Sequence, residues 1–263
     1  MNDYSSLLAV ATDAVAIGCR LIREQKPGIL TAKGDRDYAS SVDYLIEREI
    51  RGYLAGKTPE IGFLGEEEGA TDRKAELIWS LDPIDGTVNF VHGLPLCAVS
   101  LGLVRQGRTV LGVVELPFLG GQYSAVEGGG SHIGTERIQV SRAPSLEDAV
   151  IAIGDYAVGV DASRKNELRL AVTTALAPRA LRIRMFGTAA TDLVWLAEGR
   201  IDGCVILSNN PWDTSAGVII AREAGASVLD KDGSPHNFES KATIAANPAL
   251  VADLVRIVQA AEL

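Results

Sequence analysis

Asp82 and Asp85 stand three residues apart in WSLDPIDGTVNF (Trp79–Phe90), with Pro83 between them and Gly86-Thr87 directly behind. The stretch Leu77–Leu81 just upstream is a short apolar run bounded by a turn signal, which suits a buried strand. Pro83 cannot donate to a sheet ladder, so the strand is expected to end there. A helix can begin from Val88. Two acids at a strand end, followed by a glycine and a hydroxyl at a helix start, can hold a hard cation beside an anionic group. Oxygen ligands suit Mg²⁺, and free N–H groups at a helix N-terminus suit phosphate. Taken alone, the same residues also read as an Asp-Pro and Asp-Gly double turn with solvated acids.

Three further acids can join this pair. Glu66 follows Gly65 in GEEEG, at the end of a short strand over Ile61–Leu64. Asp213 in PWDTSAG stands at a helix start, where a carboxylate favours the positive end of the dipole. Asp43 lies in the first turn of a helix capped by Ser40 or Ser41, just off that helix's apolar stripe, placed to face a cleft. Each has a plainer reading, as a solvated charge run for Glu66 to Glu68 or as a helix cap for Asp213. The three histidines, His92, His132 and His236, carry no ligand spacing and read as structural.

The elements that must position these acids fall into two textures. Apolar residues at helical spacing mark a helix over 4–24, stopped by Lys26-Pro27-Gly28, and a polar, mobile-looking stretch follows over 31–37. Between Ala98 and Val126 the pattern is that of consecutive strands separated by glycine-rich turns, an antiparallel meander. A further strand is expected over Arg137–Val140. After Pro144, strands near Ala149–Ile153, Leu181–Arg184, Cys204–Leu207 and Ala226–Leu229 alternate with helices near 163–176, 188–198, 213–224 and 247–261. The expectation is one unit over 1–263, with an α+β front half (about 1–143) and an α/β back half (about 144–263).

Composition narrows the function classes. The chain has 263 residues, 47% hydrophobic and 22% charged, with a formal net charge of -9. An acidic surface argues against nucleic-acid binding, which depends on Lys and Arg neutralising phosphates. An anionic substrate would need local positive charge, which a bound metal supplies. Cys19, Cys97 and Cys204 form no CxxC or Cys/His pattern, so they read as buried thiols in a reducing compartment. No basic leader opens the chain and no apolar run approaches a membrane span. The expectation is a cytoplasmic protein without membrane partners.

GEEEG, WSLDPIDGTVNF and PWDTSAGVIIAREAG, in this order and spacing, resemble the inositol monophosphatase family, lithium-sensitive metal-dependent phosphatases related to fructose-1,6-bisphosphatases. The resemblance runs across nearly the whole chain, including D-x5-D at Asp37 and Asp43, FGTAA at Phe186–Ala190 and AEGRID at Ala197–Asp202. It implies a layered αβαβα sandwich, a homodimer, a small phosphorylated metabolite as substrate and two or three Mg²⁺ ions per site. Glu66, Asp82, Asp85 and Asp213 would be the carboxylate ligands, and Ile84 would add its carbonyl. Thr87, paired with Glu66 or Asp43, would orient and activate the attacking water. Gly86 and Thr87 would receive phosphate oxygens, Asp85, Ala189 and Asp213 would line the substrate site, and Lys33 would lie on a loop completing the third metal position.

Substrate choice is less determined. Inositol-preferring members place a glutamate seven residues before the aspartate of WD, and here that position is Ile206. Asn209 and Asn210 are candidates to replace it. Inositol phosphate leads, with histidinol phosphate, a nucleoside or sugar monophosphate and fructose 1,6-bisphosphate as alternatives. A bisphosphate needs a second basic pocket, for which Arg182 and Arg184 are candidates. A non-catalytic binding member is the remaining alternative, although such divergence normally begins with loss of metal ligands.

Overall fold

The computed structural model describes residues 4–34, 37–71 and 75–262. Two helices open the chain, α1 (Ser5–Glu24) and α2 (Ser41–Lys57), joined by a hairpin of β1 (Leu30–Gly34) and β2 (Asp37–Ser40). The stretch read as mobile is therefore strand-paired where it is described. The side chain of Asp37, like residues 35 and 36, lies outside the described residues. Helix α1 is long and apolar enough in composition to cross a bilayer, but its buried face, Ala11, Ala14, Val15, Gly18, Cys19 and Ile22, packs on α2 and the sheet beneath.

That sheet has eight strands, in the order β10-β9-β8-β7-β6-β5-β3-β4. Its members are β3 (Gly62–Gly65), β4 (Gly69–Thr71), β5 (Leu77–Asp85), β6 (Ala98–Arg105), β7 (Arg108–Glu115), β8 (Gln122–Val126), β9 (Gly130–Ile133) and β10 (Glu136–Ile138). From β5 to β10 it is the expected antiparallel meander, while β3 pairs parallel to β5. Strand β5 does not end at Pro83. It continues to Asp85, because the β5–β6 register breaks between Asp82 and Asp85 and no ladder donor is required of the proline. The short helix α3 (Thr87–Val91) follows.

A second sheet of five strands, ordered β12-β11-β13-β15-β14, contains β11 (Val150–Ile153), β12 (Arg182–Arg184), β13 (Gly203–Ile206), β14 (Ser227–Leu229) and β15 (Thr243–Ala246). Strands β12, β11 and β13 run parallel, and β15 and β14 are added antiparallel. Helices α5 (Ala189–Ala197) and α6 (Pro211–Glu223) fill the space between the sheets, and α4 (Ala162–Leu176) and α7 (Val251–Ala261) cover the outer face. The layers are thus α1/α2, large sheet, α5/α6, small sheet, α4/α7, with an apolar cluster at each of the four junctions. This is the αβαβα sandwich.

Helix α6 lies unusually close to the large sheet. Gly102 and Gly112 are cross-strand partners on β6 and β7. A Cβ on Gly112 would stand 2.6 Å from the Ala216 carbonyl oxygen, and one on Gly102 would stand 2.6 Å from Ser215 Oγ. Side chains at this pair would push the helix away. The close approach brings the first turn of α6, with Asp213, to the end of β5, with Asp82 and Asp85.

Candidate active site

Glu66 at the β3–β4 turn, Asp82 near the end of β5 and Asp213 in the first turn of α6 each present a carboxylate oxygen within 4.8 Å of the others. These acids come from three separate elements, so only the folded layers assemble them. Asp85 lies beside them, with Oδ2 accepting from Thr188 Oγ1 and from the Ala190 N–H at 2.6 Å. The N-terminal turn of α5 thus orients Asp85 and stabilises its charge. Burial pushes the Asp82 and Asp213 carboxyls well above the usual range, with neighbouring carboxylates adding to the effect. Burial also raises Asp85 to about 6, against the hydrogen bonds from Thr188 and Ala190.

The residues fit a hard cation. The donor set is all oxygen, and among the described residues the buried Glu67 Oε2 has no hydrogen-bond partner. A cation already occupies part of the cluster: Lys33 Nζ, on β1, reaches Glu66 Oε1 at 2.7 Å and Glu67 Oε1 at 2.5 Å. Burial alone would lower the Lys33 pKa, yet these carboxylates raise it. Glu67 is in turn pushed up to about 7, chiefly by burial. One ammonium does not balance Asp43, Glu66, Glu67, Asp82, Asp85 and Asp213, and packed carboxylates are relieved either by further cations or by taking up protons.

Thr87 and Asp43 form a second part of the site. Asp43 is fully buried and does not line an open cleft. Its Oδ2 accepts from the Ser40 N–H and hydroxyl in a capping box, while Oδ1 stands 3.0 Å from Thr87 Oγ1. Thr87 Oγ1 is equally 3.0 Å from the Ile84 carbonyl, so its single proton serves one acceptor at a time. The Thr87 hydroxyl is thus shared between Asp43 and the Ile84 carbonyl, while Glu66 is engaged by Lys33. Gly86 makes the turn possible: its φ is +90°, and a Cβ there would stand 2.8 Å from the Leu96 carbonyl oxygen.

Beside the acids opens a cavity of about 340 Å³, with Asp85, Thr188, Ala189 and Asp213 at one end and Asp155, Lys165, Arg169 and Ser208 among its further lining. Ile206 sits in its wall, 6% exposed, and supplies no polar group. Neither asparagine replaces the missing glutamate. Asn209 turns away to the Ser240 carbonyl and Thr243, and Asn210 Nδ2 is tied to Asp213 Oδ2. Arg182 and Arg184 are also elsewhere, exposed on edge strand β12 with their guanidiniums on neighbouring backbone carbonyls.

Several residues of the site carry no signal in the local sequence. Glu47, on α2, is fully buried and accepts from the Glu67 and Glu68 N–H groups at 2.8 Å, and from Arg51. Its carboxylate also explains Gly65, where a Cβ would stand 2.3 Å from Glu47 Oε1. Thr188 could have been found as a helix cap before Ala189-Ala190, since its side chain accepts from the Thr191 N–H.

Residues 3–262 match the inositol monophosphatase family. The chain belongs to this family. It is 33% identical over 259 residues to the inositol-1-monophosphatase ImpA of Mycolicibacterium smegmatis, covering 98% of this chain and 94% of that protein. It is 37% identical over 225 residues to the fructose-1,6-bisphosphatase/inositol-1-monophosphatase of Thermotoga maritima, covering 86% and 84%. Among solved structures, the extragenic suppressor protein suhB of Bartonella henselae superposes with a TM-score of 0.90 at 33% identity, covering 97% of this chain and 98% of that one. This inositol monophosphatase family member is a phosphoric monoester hydrolase, of a family that acts on phosphorylated small molecules and generally uses Mg²⁺.

Proposed function

We propose that this family member is a Mg²⁺-dependent phosphomonoesterase that hydrolyses a small polyol- or sugar-type phosphate, of the inositol phosphate kind, by direct attack of water. The observation that carries this reading is the convergence of Glu66, Asp82 and Asp213 within 4.8 Å, beside a cavity that reaches Asp85 and Asp213. Two or three Mg²⁺ ions held by Glu66, Asp82, Asp85, Asp213 and the Ile84 carbonyl would activate water and neutralise charge on the phosphoryl group and leaving alkoxide.

The chain's own residues supply orientation and proton handling. Thr87 Oγ1 holds the attacking water and passes a proton towards Asp43, whose own position is set by Ser40. As the water oxygen bonds to phosphorus, the ester P–O bond breaks and the alkoxide leaves with a proton from solvent. Gly86 and Thr87 N–H groups receive phosphate oxygens, and Ala189 borders the leaving group. Charge stabilisation and positioning are what phosphoryl transfer demands, since the uncatalysed reaction is extremely slow. Lys33 holds Glu66 and Glu67 together and neutralises part of their charge, and Glu66 would be free to ligate Mg²⁺ once that contact is released. By resemblance to the family we also read the protein as a cytoplasmic, lithium-sensitive homodimer.

A phosphate-release screen over a panel of phosphomonoesters tests this reading, run with Mg²⁺, with EDTA and with added Li⁺. Release that needs Mg²⁺ and falls with Li⁺ is expected. A phosphorylated protein intermediate trapped on acid quench would refute direct water attack.

A further inference from the structure

Asp192 stands in the first turn of α5 and borders the cavity beside Asp85 and Asp213. It is 1% exposed, and its Oδ1 has no hydrogen-bond partner among the described residues. Burial pushes its carboxyl well above the usual range, and the charges that add to the effect, on Asp85 and Asp155, are acidic as well. The cap of α5 does not account for this acid. Thr188 makes that cap by accepting from the Thr191 N–H. A buried polar group left unpaired costs stability, so its retention calls for a partner that the free protein lacks.

The acid lies where the surroundings are otherwise apolar. Helix α5 packs on β13, and Cys204 and Ile206 share one face of that strand, in the same apolar cluster as Leu193 and Leu196 of the helix. Burial pushes the Cys204 thiol up and the Asp192 carboxylate adds to the effect, so Asp192 is a near neighbour of Cys204. Ile206 borders the same cavity as Asp192 and supplies no polar group. In the proposed reaction Ala189, in the same turn of α5 as Asp192, borders the leaving group. A hydroxyl donates to a carboxylate and accepts from a carboxylic acid, so it pairs with either form of Asp192, whereas an ammonium only donates.

We propose that Asp192 hydrogen-bonds a hydroxyl of the leaving group, which makes it a specificity-determining residue that favours polyol esters over alkyl esters. The inference rests on the phosphomonoesterase reading and adds to it the side chain that chooses the alcohol. A site built to pair a substrate hydroxyl rejects the analogue without one, because its own buried polar group is then left unpaired.

The test compares kcat/KM, with Mg²⁺, for two pairs of esters that differ in their hydroxyls: inositol 1-phosphate against cyclohexyl phosphate, and glycerol 2-phosphate against 2-propyl phosphate. In at least one pair the wild type should favour the hydroxylated ester by about tenfold or more. Asp192→Leu, close in shape and without a polar group, should bring that ratio down to about one. A merely structural role would lower both esters of a pair alike and leave the ratio where it was. Each variant is checked for an intact fold by its Tm, and if Asp192→Leu does not fold, Asp192→Ala decides by the same ratio. Equal kcat/KM within both pairs for the wild type, or a ratio that the folded variant leaves unchanged, would overturn the proposal. If no ester releases phosphate, the phosphomonoesterase reading fails. Affinities of the same esters for the Mg²⁺-loaded protein then decide the role of Asp192, and equal affinities within both pairs overturn it.

Discussion

At the scale of single residues, the acids at the end of β5 are costly until something neutralises them. Burial pushes the Asp85 carboxyl up to about 6, and it raises Asp82 and Asp213 as well. A carboxyl raised in the fold contributes stability while it is protonated, and loses it as pH rises through the folded value. The Tm of the metal-free protein should therefore fall as pH is raised from about 4 through 6 and beyond, and Mg²⁺ should restore it most at the higher pH. A Tm that is flat across this range, with no Mg²⁺ effect, would contradict the burial of these acids. Asp85→Asn should keep the bonds from Thr188 and Ala190 in part but abolish Mg²⁺-dependent phosphate release, read in a single-turnover assay. Asp82 and Asp85 were legible in the sequence because one strand end, turn and helix start compress their chemistry into a few residues, and Asp213 because it opens a helix in PWDTSAG. Glu47 and Arg169 were not, because an acid or base on an ordinary helix looks solvated until the tertiary structure shows what covers it.

At the scale of elements, the site depends on how closely α6 approaches β6 and β7. Gly112→Val would place methyl groups against the Ala216 carbonyl, where a Cβ alone stands 2.6 Å away. A destabilisation of about 1–3 kcal/mol is expected, seen as a lower denaturant midpoint, together with weaker Mg²⁺ binding because Asp213 moves with the helix. Glu47→Ala should cost about 3 kcal/mol, since it leaves Arg51 and two N–H groups of the 66–68 turn without their partner. Chemical denaturation reads that loss, and an unchanged midpoint would remove Glu47 from the account. The meander over 98–126 and the helices of the back half were legible from period and punctuation. The β1–β2 hairpin was not, because Leu30–Gly34 is exposed throughout and shows no apolar alternation. Strand β5 ran past its expected stop at Pro83 because a register break in the sheet lies outside what a single strand's sequence encodes.

At the scale of the whole molecule, five layers serve one junction. The front sheet brings Asp82 and Asp85, the middle helices bring Asp213 and the Thr188 cap, and α4 on the outer face closes the cavity with Lys165 and Arg169. No single layer holds the site, so activity should be lost in the same transition as the fold, and near-ultraviolet circular dichroism and phosphate release should share one denaturant midpoint. The central claim is that the converged carboxylates work through Mg²⁺. It is tested most directly by titrating Mg²⁺ into wild type and Asp82→Asn while following phosphate release from a hydrolysable ester. Release should rise from nothing with Mg²⁺ in the wild type, be abolished by EDTA, and fall by about a thousandfold or more in Asp82→Asn. Release that persists in EDTA, or an Asp82→Asn protein as active as the wild type, would contradict it.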